Sequence, residues 1–369
     1  MRVTRLLVRD FRSHSEARVE LAERLTVLCG PNGAGKTNLL EALYFGCVGR
    51  SCRTANEREM VRAGRPLTHV RVEGYADDGP HTLEVGFAPG EPKRARADGA
   101  LVERLVDVAF RPLVAVFLSE RLELVRGAPA PRRAHIDQLA GALWPASARA
   151  RSEYARALGQ RNAAIARVRR GAARTLLDPW DAELARHGVE LMADRRRSAA
   201  ALEEPFGRRA DELGLPDPVT VRYRPRSSAE DASALVTELE ERRESDLERG
   251  FSTHGPHRDD LELRHGGRPL RTFGSQGQQR VALLALLFAE RDALLAHGRS
   301  ALMLLDDVMS ELDAERRRRL ADVVLEGGQA VVTTTEAAHV PGHDAPGAVV
   351  VPVGEAVSAA REPAVVAGS

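Results

Sequence analysis

Lysine is almost missing from this chain. Of its 54 basic residues only Lys36 and Lys93 are lysines, a bias that genome composition explains best. Cysteine is scarce too. Cys29, Cys47 and Cys52 are odd in number and form no C-x-x-C pair, so neither a disulfide framework nor a zinc ribbon is indicated. A reducing cytoplasm is the simplest home for such a chain. There is no apolar run of roughly 18 residues, the length a membrane-spanning helix needs. The N-terminus lacks the apolar stretch and small-residue cleavage site of a signal peptide. Excess charge of one sign is also absent. A net charge of +1 argues against a broadly basic DNA-coating protein, and any nucleic-acid surface must be local. What is present is 369 residues, 43% of them hydrophobic, enough for one large domain or two modest ones.

One of the two lysines stands in the most informative segment, Gly30-Pro31-Asn32-Gly33-Ala34-Gly35-Lys36-Thr37, which fits G-x-x-x-x-G-K-[ST]. It follows the strand-like run Leu25 to Cys29 and opens a helical run from Asn38 to Phe45, the context this phosphate-binding loop requires. Glycines let the backbone curl its N–H groups toward phosphate oxygens, and the helix adds the positive end of its dipole. Lys36 is expected to neutralise the terminal phosphates, where a compact ammonium fits and a planar guanidinium does not. The Thr37 hydroxyl is expected to take one position on Mg²⁺.

A second motif lies 270 positions after Lys36. Four apolar residues, Leu302 to Leu305, end in Asp306 and Asp307, the pattern of a central parallel strand with an acid at its carboxyl end. Asp306 is the expected magnesium ligand, and Asp307 the acid that polarises an attacking water. Taken alone, such an acid also reads as the N-cap of the next helix. Between the two motifs stands Ser275-Gln276-Gly277-Gln278, opening a long apolar helix from about Gln276 to Leu295. Its hydroxyl and bare backbone suit a phosphate at a helix N-terminus, though by itself it is only a good N-cap.

The remaining organisation follows from periodicity. Strand-like runs are Val3 to Val8 and Ala17 to Leu21, and residues 67–118 read as antiparallel hairpins. Residues 131–213 read as helices, with Tyr154, Leu158, Ile165 and Val168 on one stripe and Trp180, Leu184 and Leu191 on another, punctuated by Gly171 and Pro179. A strand from Val219 to Tyr223 and a charged helix from about Asp231 to Arg249 follow. Strands are also expected near Asp260 to Leu263, at Ala301 to Leu305, at Ala330 to Thr334 and near Val349 to Val353, with a helix from Asp313 to Leu325.

In this order, loop, inserted lobe, Ser-x-Gly-Gln and strand acid resemble the ATP-binding-cassette ATPases that handle DNA, the group of the structural-maintenance-of-chromosomes proteins. The segments Leu7-Val8-Arg9-Asp10-Phe11-Arg12-Ser13 and Leu39-Leu40-Glu41-Ala42-Leu43 match that group. Within it the chain is similar to the RecF family, through His254-Gly255-Pro256-His257-Arg258-Asp259-Asp260, Gly159-Gln160-Arg161-Asn162 and Ser275 to Arg280. The resemblance covers roughly residues 1–355.

That resemblance implies an α/β fold, an ABC-type (P-loop) ATPase head with a mixed β-sheet core plus an inserted helical lobe. Its limits would be 1–130 and 251–355 for the two halves of the ATPase domain, 131–250 for the lobe and 356–369 for a tail. It adds Asn38 and Arg12 to the ATP-binding residues, and Lys36 to Asp307 as a catalytic group. It implies that Ser275, Gln276, Gly277 and Gln278 cap a nucleotide held by a second copy of the chain, making ATP and Mg²⁺ the glue of a homodimer. DNA, as a duplex or a gap junction, RecR with RecO, and RecA loading would be the partners and outcome. Two departures from the wider cassette pattern, Asp307 for glutamate and Thr333-Thr334-Thr335 where a switch histidine is usual, point to slow hydrolysis.

DNA has weaker support in the residues themselves. Residues 149–174 hold eight arginines against one acid, Glu153, and on sequence alone this reads as a solvated helix. The resemblance turns the reading to phosphate contacts that read no bases. With only Tyr154 as an aromatic there, single-strand stacking is not suggested. His254, His257 and His265 show no recognised zinc spacing. A transporter-type cassette subunit, a chromosome-condensing ATPase and a nucleotide-dependent scaffold that never touches DNA are the alternatives. The second needs long heptads between its halves, and the sequence has none.

Overall fold

The computed structural model describes residues 1–310 and 312–354. The chain forms two compact units, one from residues 1–121 and 298 onward, the other from 122–297.

The first unit is built on two sheets. Five parallel strands lie in the order Ala348–Pro352, Leu25–Cys29, Gln329–Thr334, Ala301–Leu305 and Leu113–Phe117. The inner strands are nearly continuous apolar runs because both faces are covered. Six antiparallel strands make the other sheet, ordered His14–Glu20, Arg2–Phe11, Thr68–Ala76, Gly79–Phe87, Arg94–Ala97 and Ala100–Val102. Here burial alternates, as in Thr68–Ala76, where Val70 and Val72 face inward. Parallel and antiparallel strands therefore segregate into separate sheets. The expected hairpins of 67–118 form, except that Leu113–Phe117, apolar throughout, joins the edge of the parallel sheet.

Between the sheets runs the helix Lys36–Val48, buried at every residue from Leu39 onward. A helix apolar on all sides must be covered on all sides, and this one touches strands of both sheets. Its side chains join Leu6, Val8, Val70 and Val72 on one side and Leu28, Val116 and Leu304 on the other in a single core. Gly46 permits the close approach. A Cβ there would stand 2.5 Å from a Val72 methyl and 2.9 Å from one of Val70. Gly46→Ala should cost about 1–3 kcal/mol by overpacking, read as a lowered urea midpoint with an unchanged slope.

The second unit is mostly helical. Ser147–Val168 and Asp178–Glu212, within the stretch expected to be helical, form an antiparallel pair, turning at Gly171, which has a φ of 102°. Pro179 opens the second helix instead of interrupting one, because the first turn needs no N–H from it. Tyr154 and Leu158 pack with Leu184 and Leu191, while Ile165 and Val168 pack with Leu177 and Trp180. The charged helix expected over 231–249 is broken at Arg242 into Ala232–Glu241, capped by Asp231, and Arg243–Arg249. The strand Asp260–His265 pairs with Val219–Arg224, and the helix Gln276–Ala296 completes the unit. Residues 122–130 and 251–297, which the sequence assigned to the ATPase halves, group with these helices. The expected tail, 356–369, lies outside the described residues.

Candidate functional site

The loop Gly30–Gly35 leaves the carboxyl end of a central parallel strand and enters the buried helix. Gly33 and Gly35 adopt φ of 84° and 94°, the left-handed region that side chains with a Cβ avoid. Gly30 is required for another reason: a Cβ there would fall 2.1 Å from the Val353 carbonyl oxygen. Val353 in turn donates its N–H to the Cys29 carbonyl at 2.6 Å, so the last described strand clamps the loop's start. Pro31, Asn32 and Gly33 are exposed. Lys36 is nearly buried, and its Nζ donates to the Gly30 and Pro31 carbonyls at 2.7 and 2.9 Å. The helix begins at Gly35 with no side-chain cap, leaving its first amides to whatever stands before them.

The neighbouring strand ends supply the acids. Thr37 Oγ1 donates to the carboxylate of Asp306, at 2.8 and 3.0 Å from its two oxygens, across 269 positions of sequence. Thr333, fully buried, donates its hydroxyl to Asp306 Oδ1 at 2.7 Å and accepts the N–H of Asp307 at 2.9 Å. Burial pushes the Asp306 carboxyl up from its ordinary value, against the downward pull of the Thr333 and Thr37 hydroxyls. A hydroxyl and a desolvated carboxylate form the oxygen donor set that suits a hard divalent cation. Asp307 is exposed, and its φ of 48° marks local strain of the kind functional sites hold. Thr333→Val should free the Asp307 amide and leave Asp306 Oδ1 with Thr37 as its one hydroxyl partner, while keeping shape. We expect turnover to fall at least about 10-fold, the effect of roughly 1.4 kcal/mol. Single-turnover phosphate release measures this, with nucleotide affinity changing much less.

Side chains from the first two strands and from the helix hold the loop. The turn between the first two strands brings His14 Nε2 to the Gly35 carbonyl at 3.0 Å and Ser13 Oγ to the Asn38 amide at 2.9 Å. Arg12, also at positive φ (51°), grips the buried Glu41 through two hydrogen bonds of 3.0 and 2.9 Å. Arg53 joins both Glu41 and Asn38, at 3.3 and 3.2 Å. Glu41 is thus the hub that ties Arg12 to the helix. Sequence reasoning caught Glu41 and Ser13 only as parts of matching segments, and passed over Arg53 and His14. The visible signal was an acid inside an otherwise apolar helix.

The structure therefore gathers residues 30–38, Arg12, Asp306 and Asp307 in the first unit. Ser275, Gln276, Gly277 and Gln278 belong to the second. Ser275 Oγ accepts the Gln278 N–H at 3.3 Å while Gln278 Oε1 accepts the Ser275 N–H at 2.8 Å, a reciprocal capping box. Ser275, Gln276 and Gly277 are exposed, and a Cβ on Gly277 would meet nothing. The box is compact and its bare face is open.

Seven of the eight arginines in 149–174 are exposed, as an outward basic face requires. Arg161 departs from that expectation. It is fully buried, paired with Asp181 and Asp246 at 2.5 and 2.6 Å and bonded to Ser252 Oγ at 2.8 Å. Facing the partner helix, it serves the core. Two of the histidines bond a protein partner, His254 the Glu238 carboxylate at 2.6 Å and His257 the Tyr154 hydroxyl at 2.8 Å, while His265 Nε2 lies 3.8 Å from the Asp217 carboxylate, beyond hydrogen-bond range. Burial lowers the His257 pKa to about 4, helped by Arg258 and Arg133 nearby, so it stays neutral.

Residues 5–92 match the family model of an AAA domain. Over 357 residues the chain is 38% identical to the DNA replication and repair protein RecF of Streptomyces avermitilis, covering 93% of this chain and 95% of that one. The RecF of a Nocardioides species is 34% identical over 401 aligned positions, covering 92% and 96%. A solved structure of the recombination mediator protein RecF with ATP superposes with a TM-score of 0.83 at 26% identity, covering 91% of this chain and 92% of the other. An SMC head bound to a winged-helix domain of ScpA, at TM-score 0.56 and 15% identity over 91% and 90% of the two chains, shares the fold. With that identity carried across nearly its whole length, the chain belongs to the RecF family of DNA replication and repair proteins.

Proposed function

We propose that this chain is an ATP-dependent DNA-binding protein of recombinational repair and replication. It would be a weak ATPase whose hydrolysis resets a homodimeric clamp on duplex or gapped DNA, in the cytoplasm, with RecR and RecO as partners and RecA loading as the outcome. The observation that carries the reading is the contact of Thr37 with Asp306 beside an uncapped helix start. Chain segments 269 positions apart meet there with the groups a magnesium triphosphate needs.

Each residue has a task in this scheme. Amides of Gly33 to Lys36 donate to phosphate oxygens, and Lys36 exchanges its two loop carbonyls for the terminal phosphates. Thr37 and Asp306 hold Mg²⁺, which when bound supplies charge that neutralises phosphate oxygens. Asp307, held by Thr333, orients the attacking water. Its carboxylate is one methylene shorter than glutamate, and Thr333-Thr334-Thr335 stand where a switch histidine is usual, which supports slow turnover. The open Ser275 cap engages the phosphates of a second copy, and the two-fold axis gives two such sites. ATP then bridges protomers, and its hydrolysis loosens them.

Sizing the protein by light scattering with and without ATP and Mg²⁺, then with gapped duplex, tests the whole reading. The mass should double with ATP and Mg²⁺, and a monomer at saturating nucleotide with DNA present would overturn it. Ser275→Arg separates the parts. It should leave nucleotide affinity of the monomer within about 2-fold while abolishing pairing, since the cap's own partners, Ser275 and Gln278, bond only each other's backbone there. Loss of monomer affinity instead would contradict capping in trans.

A further inference from the structure

The loop after the helix Arg243–Arg249 exposes an aromatic ring that the core does not use. Phe251 is 40% exposed. Its neighbours are fixed on both sides. Gly250, at φ 83°, closes the preceding helix by donating to the Asp246 carbonyl at 2.8 Å. Ser252 donates its N–H to Asn162 Oδ1 at 2.8 Å, and Thr253 donates its N–H to the buried Asp246 at 2.8 Å. The Ser252 carbonyl accepts from His257 Nε2 at 2.9 Å. A ring held outward by so many buried bonds is displayed, not frayed.

Arg258 faces that ring, and two more arginines stand at the turn that carries it. The Arg258 guanidinium carbon lies 5.3 Å from its centroid. Arg169, from the arginine-rich helix, lies close enough that a Cβ on Gly250 would come within 2.5 Å of its guanidinium nitrogen. Arg249 precedes the turn, all three arginines are exposed, and residues 249–258 contain no acid. An exposed aromatic among arginines is the arrangement that stacks an unpaired base while cations take the flanking phosphates. The helix alone carried no such ring; the fold brings one in from 251.

We infer that Phe251, with Arg258, Arg169 and Arg249, is a stacking site for an unpaired DNA base, so that this face distinguishes gapped from continuous duplex. The inference rests on the DNA-binding reading above. The ring supplies stacking, which a base inside a duplex cannot offer, and the arginines supply charge that any DNA meets.

Fluorescence anisotropy with a gapped duplex and a continuous duplex of equal phosphate number tests it, with 2-aminopurine placed in the gap as a stacking reporter. Phe251→Ala should weaken gapped DNA about 10-fold, leave continuous duplex unchanged and lose the 2-aminopurine quench. Phe251→Trp should restore both losses and likewise leave continuous duplex unchanged. Phe251→Ala binding both DNAs as the parent does overturns the inference and leaves the ring to a protein partner. Equal loss on both DNAs also overturns it, because the ring then merely supports the arginines. If the parent binds no DNA at saturating ATP and Mg²⁺, the DNA-binding reading falls and takes this inference with it.

Discussion

Replacing Lys36 with alanine is expected to abolish nucleotide-dependent pairing of this protein. The Lys36 ammonium sits nearly buried on two loop carbonyls, so it is already at the concave side of the turn when nucleotide arrives. Two charge-assisted hydrogen bonds are worth about 1.5–3 kcal/mol each. Phosphate oxygens replace the carbonyls as partners, so the alanine variant loses the stronger set. A loss of about 3 kcal/mol lowers affinity roughly 100-fold. The phosphates are also the surface on which a second copy would close, so pairing should fall further than binding. Titration with a fluorescent ATP analogue reads the first effect and light scattering the second. Lys36→Arg is the sharper control. Its planar fork carries the same charge but cannot turn back onto Gly30 and Pro31 within so closed a space. Pairing by Lys36→Ala at the parent's ATP concentration would remove the loop from the switch.

How much of this was legible before the structure depends on how local each feature is. The loop, its helix and the strand ending at Leu305 are written in contiguous residues, and the strand occupies the limits expected for it. Both strands that flank the site are buried on two faces, so hydrophobicity alone marks them. The clamp on Gly30 by Val353, the bridge from Thr333 to both acids and the hub at Glu41 all join distant segments. No period in the sequence reports such pairings. Arg161 shows the same limit from the other side. Its place in a run of arginines suggested a solvent face, yet it stands three residues after Leu158 and four before Ile165, on the inward stripe, against Asp181 and Asp246. The error concerned geometry, since a helix face is decided by what packs on it. Residues 251–297 group differently from the division drawn on sequence for a related reason. Residues 251–297 are chemically like the ATPase half, with a signature and an apolar helix, but the helix Gln276–Ala296 packs on Asp178–Glu212. Arg209 fixes that contact through Asp292, with bonds of 2.6 and 3.1 Å.

Asp307→Asn should hold the closed state and stop turnover. Three features make it a clean test. Asparagine tolerates positive φ nearly as well as aspartate, so the 48° backbone survives the change. The bond that fixes this backbone, from the Asp307 N–H to Thr333 Oγ1 at 2.9 Å, involves no side-chain atom of residue 307 and persists. Asp306, the residue assigned to magnesium, keeps Thr37 and Thr333 and is untouched. What disappears is a carboxylate able to polarise water. General-base assistance contributes about 10²–10⁴-fold, so phosphate release should drop at least about 100-fold while nucleotide affinity stays within about 2-fold of the parent. Pairing should then outlast the ATP pulse that produced it. Asp307→Gly divides strain from chemistry: it relaxes the left-handed residue and should raise thermal stability slightly, yet turn over no faster than Asp307→Asn. Turnover by Asp307→Asn at the parent's rate would take Asp307 out of the chemistry and leave the attacking water to another group.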